Sequence, residues 1–220
     1  MKRLMDDYLQ HIKEKMFRMG LMVEVAIDKS TSSLFERDSQ KAEDVVEGHQ
    51  KIEDLDREIA HLGHELIALR QPTAGDLRLI TMILKVSDDL ERMGAQAVNI
   101  ADRAVILNEH PPLKAYDDLP IMAEEAARMV RDALDAFMER DQDKAQRIFD
   151  NDNILDEINE KIYFDVQGIL QMKPQESRSG INLIMVAHNL ERIGDLATNI
   201  AEDVIYLIKG EDIRHRFTHI

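Results

Sequence analysis

A 13-residue segment occurs twice in this chain, with its copies 100 residues apart. The first copy is Leu90–Asp102 and the second is Leu190–Glu202; eight of the 13 positions are identical, and the last position keeps its negative charge. Such self-similarity indicates that the chain duplicates one structural unit. We place the two units at residues 1–112 and 113–220, because two consecutive prolines at 111–112 interrupt the pattern between them.

Apolar residues recur through both units at alternating steps of four and three. In the first unit one such series is Leu79, Ile83, Val86, Leu90, Met93, Ala97, Ile100, Ala104 and Leu107. A mean period of about 3.5 residues over this length predicts long antiparallel helices that pack along coiled-coil-like seams. The methionines fall at the same helical spacing, so we interpret them as core residues rather than as sulfur ligands.

Prolines and glycines are few, five and nine in 220 residues, and prolines at 72, 111–112 and 174 mark breaks between helices. We predict three helices in each unit, at about 3–36, 40–70 and 75–108, and at about 118–140, 143–172 and 180–209. Ser39 is the expected N-cap of the second helix, Thr73 and Asp76 form a capping box before the third, and Gly210 ends the last. The sequence therefore predicts an all-α fold of two tandem antiparallel three-helix bundles, elongated and joined end to end.

The charge balance limits what this chain can bind. It has 43 acidic and 28 basic residues, a formal net charge of −15. Nucleic-acid backbones and anionic lipid headgroups would be repelled, so we expect no nucleic-acid partner and no membrane insertion. The chain has no cysteine, which excludes disulfides and thiolate chemistry and is typical of a reducing compartment. We expect a cytoplasmic protein.

Acidic residues stand beside the apolar seam at helical spacing. Glu24 and Asp28 are four residues apart, as are Glu191 and Asp195, and His188 lies one turn before Glu191. Carboxylates one turn apart that face similar acids on a neighbouring helix make an oxygen-rich site; with an occasional imidazole, such donors suit Fe, Zn, Mn or Mg. The same residues also fit solvated positions or interhelical ion pairs, so both interpretations remain open.

Recognisable catalytic motifs are lacking. Glu58 and His61 have the E-x-x-H spacing of ferritin-like di-iron bundles, but such a site needs this pair twice, and it occurs once. A solvated helix face explains these two residues better. No glycine-rich phosphate loop and no nucleophile motif is present. We therefore expect a protein that is not an enzyme.

The repeated motif Leu-Glu-Arg-(Met/Ile)-Gly, at 90–94 and 190–194, resembles the signature of the PhoU family. The segment Arg70–Arg78 is similar to a characteristic loop of that family, and Met19–Glu24 and Asp135–Phe137 also fit. Gly210 and the Arg214–His215 tail extend the resemblance to the whole chain.

This resemblance implies two tandem PhoU domains, a cytoplasmic homodimer and a negative regulator of the phosphate-starvation response. Members are expected to couple the phosphate ABC transporter, through its PstB-like ATPase subunit, to a PhoR-like sensor histidine kinase. The competing hypotheses are a di-iron-like oxidase or metal hydrolase, and a metal cluster that senses phosphate directly.

Some members of the family hold metal clusters on E(D)-x-x-x-D motifs, and the resemblance therefore implies two sites here. The first would use Glu24, Asp28 and Glu91, with Asp88 as a substitute. The second would use Asp135, Asp132, Glu191, Asp195 and the neighbouring His188. The chain departs from the family pattern at Ala95 and Arg131, which stand where acids are expected.

Overall fold

The computed structural model describes residues 4–113 and 117–210. These residues form six long helices: α1 Leu4–Phe35, α2 Ser39–Arg70, α3 Ala74–Asn108, α4 Leu119–Glu139, α5 Gln142–Met172 and α6 Ser177–Lys209. A short 3-10 turn, Pro174–Glu176, precedes α6, and no strand occurs in the described ranges. The prediction of an all-α fold is confirmed. The Arg214–His215 tail lies outside the described residues.

Side chains and a glycine fix the helix ends. The capping box of α3 is confirmed: the Thr73 side chain accepts from the backbone N–H of Asp76, and the Asp76 side chain accepts from that of Thr73. The N-cap of α2 is Asp38 rather than the predicted Ser39, because its carboxylate accepts from the N–H of Gln40. Gly210 ends α6 in the left-handed conformation, with φ 71°.

Each unit is a three-helix bundle. Helices α1, α2 and α3 pack against one another in the first unit, and α4, α5 and α6 do so in the second. The heptad seam of α3 forms the core, since Ile83, Leu90 and Met93 are fully buried. Met16 and Met19 of α1 are also fully buried, as expected of core methionines.

The two bundles lie side by side, not end to end as the sequence interpretation expected. Helix α3 packs along α6, and α1 contacts α4. Lys85 Nζ lies 2.6 Å from Asp203 Oδ1, and Arg103 Nη1 donates to Asn182 Oδ1 at 3.2 Å. The early part of α3 therefore meets the late part of α6 and the reverse, so these helices are antiparallel. The bundles are related by an approximate two-fold axis between α3 and α6.

None of the described helices carries an apolar stretch long enough to span a bilayer.

Candidate metal sites between paired helices

A first cluster of ligand-type side chains lies between α2 and α3. His49 Nε2 is 3.6 Å from Glu53 Oε1 and 3.5 Å from Glu91 Oε1. One donor atom from each of the three residues lies within 4.8 Å of the other two. Burial raises the pKa of Glu91, and the nearby His49 opposes that shift while Asp56 adds to it. The arrangement offers two carboxylates and one imidazole to a cation.

A second cluster lies between α5 and α6 and consists of four carboxylates. The pKa of Asp152 is raised to about 7, first by burial and then by the charges of Asp156, Asp195 and Glu191. The pKa of Glu191 is likewise raised to about 7, first by burial and then by Asp195 and Asp156. Neighbouring carboxylates disfavour one another's ionisation unless a proton or a cation intervenes. Among the described residues, however, only the first cluster brings three donor atoms within 4.8 Å of one another.

Two basic side chains border the second cluster. His188 Nδ1 lies 3.1 Å from Glu191 Oε2, and its side chain is half exposed. Arg192 Nη1 lies 2.8 Å from Asp195 Oδ2. Arg192 therefore offsets part of the negative charge of Asp195 and Glu191.

The glycine of the repeated motif brings the partner helix close in both bundles. A Cβ placed on Gly94 would lie 3.1 Å from His49 Nδ1, and one on Gly194 would lie 3.3 Å from Asp152 Oδ1. Since Gly94 and Gly194 are equivalent, His49 and Asp152 are equivalent as well. The glycine therefore permits the close approach that holds a ligand-type side chain of α2 or α5 beside α3 or α6.

The two clusters correspond position by position. The offset between α2 and α5 is 103 residues, which pairs His49 with Asp152 and Glu53 with Asp156. The offset between α3 and α6 is 100 residues, which pairs Glu91 with Glu191 and Ala95 with Asp195. The first cluster has therefore exchanged one carboxylate for an imidazole and lost another to Ala95.

The residues present fit a bound cation. Asp152 Oδ1 of the second cluster is buried and has no hydrogen-bond partner among the described residues. Such an atom is costly to bury without a partner. Carboxylates with an imidazole are donors that suit Fe, Zn or Mn, and an all-carboxylate set also suits Mg.

Several predicted ligands lie together as expected, and others do not. Glu191 and Asp195 belong to the second cluster, which His188 borders, and Glu91 belongs to the first. Asp88 is exposed but close enough to Glu91 to raise the pKa of that carboxyl.

The acids of α1 and α4 fall outside both clusters as the structure describes them. Glu24 forms an ion pair with Arg131 instead of joining Glu91, and Asp28 is exposed. Both line a groove of about 520 Å³ between α1 and α4. These helices meet across the bundle interface, which directs their acids away from the gap between α2 and α3.

The acids proposed on α4 are also separate from Glu191. Asp132 lies 3.8 Å from Arg128, and Asp135 acts electrostatically on Lys144. The neighbours that shift the pKa of Glu191 lie on α5 and α6, not on α4.

The E-x-x-H pair of α2 takes no part in either cluster. Glu58 binds Lys15, with Nζ to Oε2 at 2.7 Å, and His61 is exposed. The sequence interpretation missed four cluster residues on the middle helices: His49, Glu53, Asp152 and Asp156. A signal for two of them was present, because Asp152 and Asp156 repeat the four-residue spacing of Glu191 and Asp195.

Comparison with known proteins agrees with this architecture. The PhoU domain family matches residues 16–104 and 119–204, one segment in each bundle. A "Phosphate-specific transport system accessory protein PhoU homolog" from Aquifex aeolicus is 38% identical over 208 residues, covering 94% of each chain. The protein of the same name from Pseudomonas putida is 36% identical over 94% of this chain and 81% of its own.

Solved structures share the fold over nearly the whole chain. PhoU from Pseudomonas aeruginosa superposes with a TM-score of 0.91 at 33% identity, covering 94% of this chain and 99% of that one. The phosphate transport system regulatory protein PhoU from Streptococcus pneumoniae gives 0.88 at 26% identity, covering 94% and 98%. With its duplicated three-helix bundles and its repeated Leu-Glu-Arg-x-Gly motif, this chain belongs to the PhoU family.

Proposed function

We propose that this protein is a cytoplasmic accessory protein of a phosphate-specific transport system and a negative regulator of the phosphate-starvation response. The observation that carries the proposal is the similarity over nearly the whole chain to proteins named as accessories of that system, at 38% and 36% identity. Because this similarity covers both bundles and both clusters, it involves the whole architecture rather than one motif.

The protein acts as an adaptor rather than an enzyme. It links the PstB-like ATPase subunit of a phosphate ABC transporter to a PhoR-like sensor histidine kinase. A net charge of −15 favours encounter with basic patches on these partners, and electrostatic complementarity sets association rate and partner choice. The protein works as a homodimer, so each assembly presents four bundles.

The two clusters serve this role as cation sites. A cation bound at either cluster supplies positive charge that neutralises the grouped carboxylates. The residues of α5 and α6 then hold one another through shared coordination instead of repelling. The clusters thereby fix the spacing between the second and third helices of each bundle.

A reporter assay tests the regulatory proposal. The gene is deleted, and a phosphate-starvation reporter is measured in high phosphate; we expect loss of repression, restored by the wild-type gene. Purified protein should also bind the ATPase subunit, and the association rate should fall as salt rises. Unchanged repression in the deletion strain would contradict the regulatory role, and absence of ATPase binding would contradict the adaptor role.

Direct phosphate sensing is a second candidate function. Because the protein is negatively charged, this function requires a bound cation. An anion is repelled by this chain unless a cation lies at the binding site, and the clusters are where a cation would be held. Calorimetry with inorganic phosphate should then give heat only for metal-loaded protein. Equal results with and without metal would exclude this mode of sensing.

A further inference from the structure

The first cluster differs from the second in both donor type and charge. It offers His49, Glu53 and Glu91, a set with one nitrogen and a formal charge of −2 when the imidazole is neutral. At the equivalent positions the second cluster carries four carboxylates. Ala95 removes the fourth ligand from the first cluster. The duplication has therefore produced two chemically different sites in one chain.

We propose that the first cluster is a site for a single borderline transition-metal ion of the Zn²⁺ class, distinct in selectivity from the all-oxygen second cluster. This inference rests on the proposed role of the clusters as cation sites, and it concerns which cation the first of them selects. Imidazole nitrogen ranks Zn²⁺ well above Mg²⁺ and Mn²⁺, whereas carboxylate oxygens suit the harder ions.

Two of the three separations between donor atoms fit a tetrahedral ion. With metal–ligand bonds of about 2.0–2.1 Å, two ligands of a tetrahedral Zn²⁺ lie about 3.4 Å apart, whereas adjacent ligands of an octahedral Mg²⁺ lie about 2.9 Å apart. His49 Nε2 stands 3.5 Å from Glu91 Oε1 and 3.6 Å from Glu53 Oε1. Both separations are close to the tetrahedral value.

The imidazole is oriented for this role by its packing. His49 Nδ1 is buried against the backbone of α3 at Gly94, and the side chain is only 16% exposed. Nε2 is therefore the nitrogen directed at the two carboxylates. Two carboxylates balance the charge of one divalent ion, and Ala95 supplies no fourth ligand.

Zn²⁺ titration of metal-free protein by calorimetry tests the proposal. We expect H49A to weaken the tight Zn²⁺ binding by about tenfold or more, because substitutions even in the outer shell of such sites cost 10–100-fold. The matched control is H61A, which removes an exposed imidazole three turns along the same helix and should leave Zn²⁺ binding unchanged. Circular dichroism of the metal-free variants verifies that they fold.

A second variant keeps the test decisive if H49A is poorly folded. H49D installs the residue found at the equivalent position 152, so it should fold, weaken Zn²⁺ binding and strengthen Mn²⁺ binding. Wild-type Zn²⁺ affinity in H49A or H49D would overturn the inference. If that occurs while H49A still represses the phosphate-starvation reporter, the selectivity inference fails and the proposed function stands. Failure of the wild-type gene to restore repression in the deletion strain would instead count against the proposed function.

Discussion

Glu24 of α1 and Arg131 of α4 form an ion pair, 2.9 Å between Oε2 and Nε, that joins the two bundles at equivalent positions of the duplicated unit. Each residue therefore meets its own counterpart close to the approximate two-fold axis. An acid at both positions would place two carboxylates against each other here. The change to arginine in the second unit converts a repulsion into an attraction and thereby accounts for one departure from the family pattern.

Exchanging these two charges should preserve stability. R131A should be the costlier single change, about 1–3 kcal/mol, because it leaves Glu24, only 14% exposed, without this partner. E24A should cost less, since Arg131 is 59% exposed. The double exchange E24R/R131E should recover most of the loss, measured as the midpoint of urea unfolding. A double exchange as unstable as R131A would show that local packing, not charge pairing, dominates at this position.

Two glycines of the second bundle should respond oppositely to alanine. A Cβ on Gly194 would lie 2.5 Å from Leu155 Cδ1 in a fully buried contact, so G194A should destabilise by about 1–3 kcal/mol through overpacking. A Cβ on Gly168 of α5 meets nothing within 4 Å, so G168A should stabilise by about 0.5–1 kcal/mol through helix propensity. Thermal unfolding of both variants checks this pair; equal effects would contradict the close approach of α5 and α6.

A buried carboxyl between the bundles should make stability fall as pH rises. Asp89 is 3% exposed, and burial raises its pKa to about 7, with Lys85 and Arg92 opposing the shift and Asp203 and Asp88 adding to it. Its folded pKa thus exceeds the unfolded value of about 3.9. The group favours the folded state fully below pH 4, and this contribution is lost as pH rises through 7. Urea unfolding with a chelator present, between pH 4.5 and 8, should show the decline.

Asparagine at this position should flatten the dependence on pH. D89N introduces the residue that the duplicated unit already carries at Asn189, which is 5% exposed. The variant should be more stable than wild type by up to a few kcal/mol at pH 8, and the advantage should shrink toward pH 4. An advantage that is independent of pH would assign the effect to packing rather than to ionisation.

The fold was more accessible from sequence than the grouping of the acids. Periodicity indicates which residues of α3 and α6 face the core, and the offset of 100 residues reveals the duplication. Periodicity does not indicate which neighbouring helix supplies the facing residues. Glu24 and Asp28 have the same spacing as Glu191 and Asp195, yet they lie at the bundle interface, because α1 contacts α4 there. Side-by-side packing depends on contacts between the units, which heptads within each helix do not encode.

The second cluster should show stability effects of opposite sign with and without metal. In metal-free protein, D152N should raise stability, because it removes a carboxylate whose pKa is raised to about 7 by burial and then by three neighbouring carboxylates. With Mn²⁺ in excess, wild type should gain about 3 kcal/mol at a ligand concentration 100-fold above the dissociation constant, and D152N should gain far less. The control E157Q removes an exposed acid of the same helix and should change neither value. Thermal unfolding with chelator and then with Mn²⁺ measures both; equal Mn²⁺ stabilisation of D152N and wild type would show that Asp152 binds no cation.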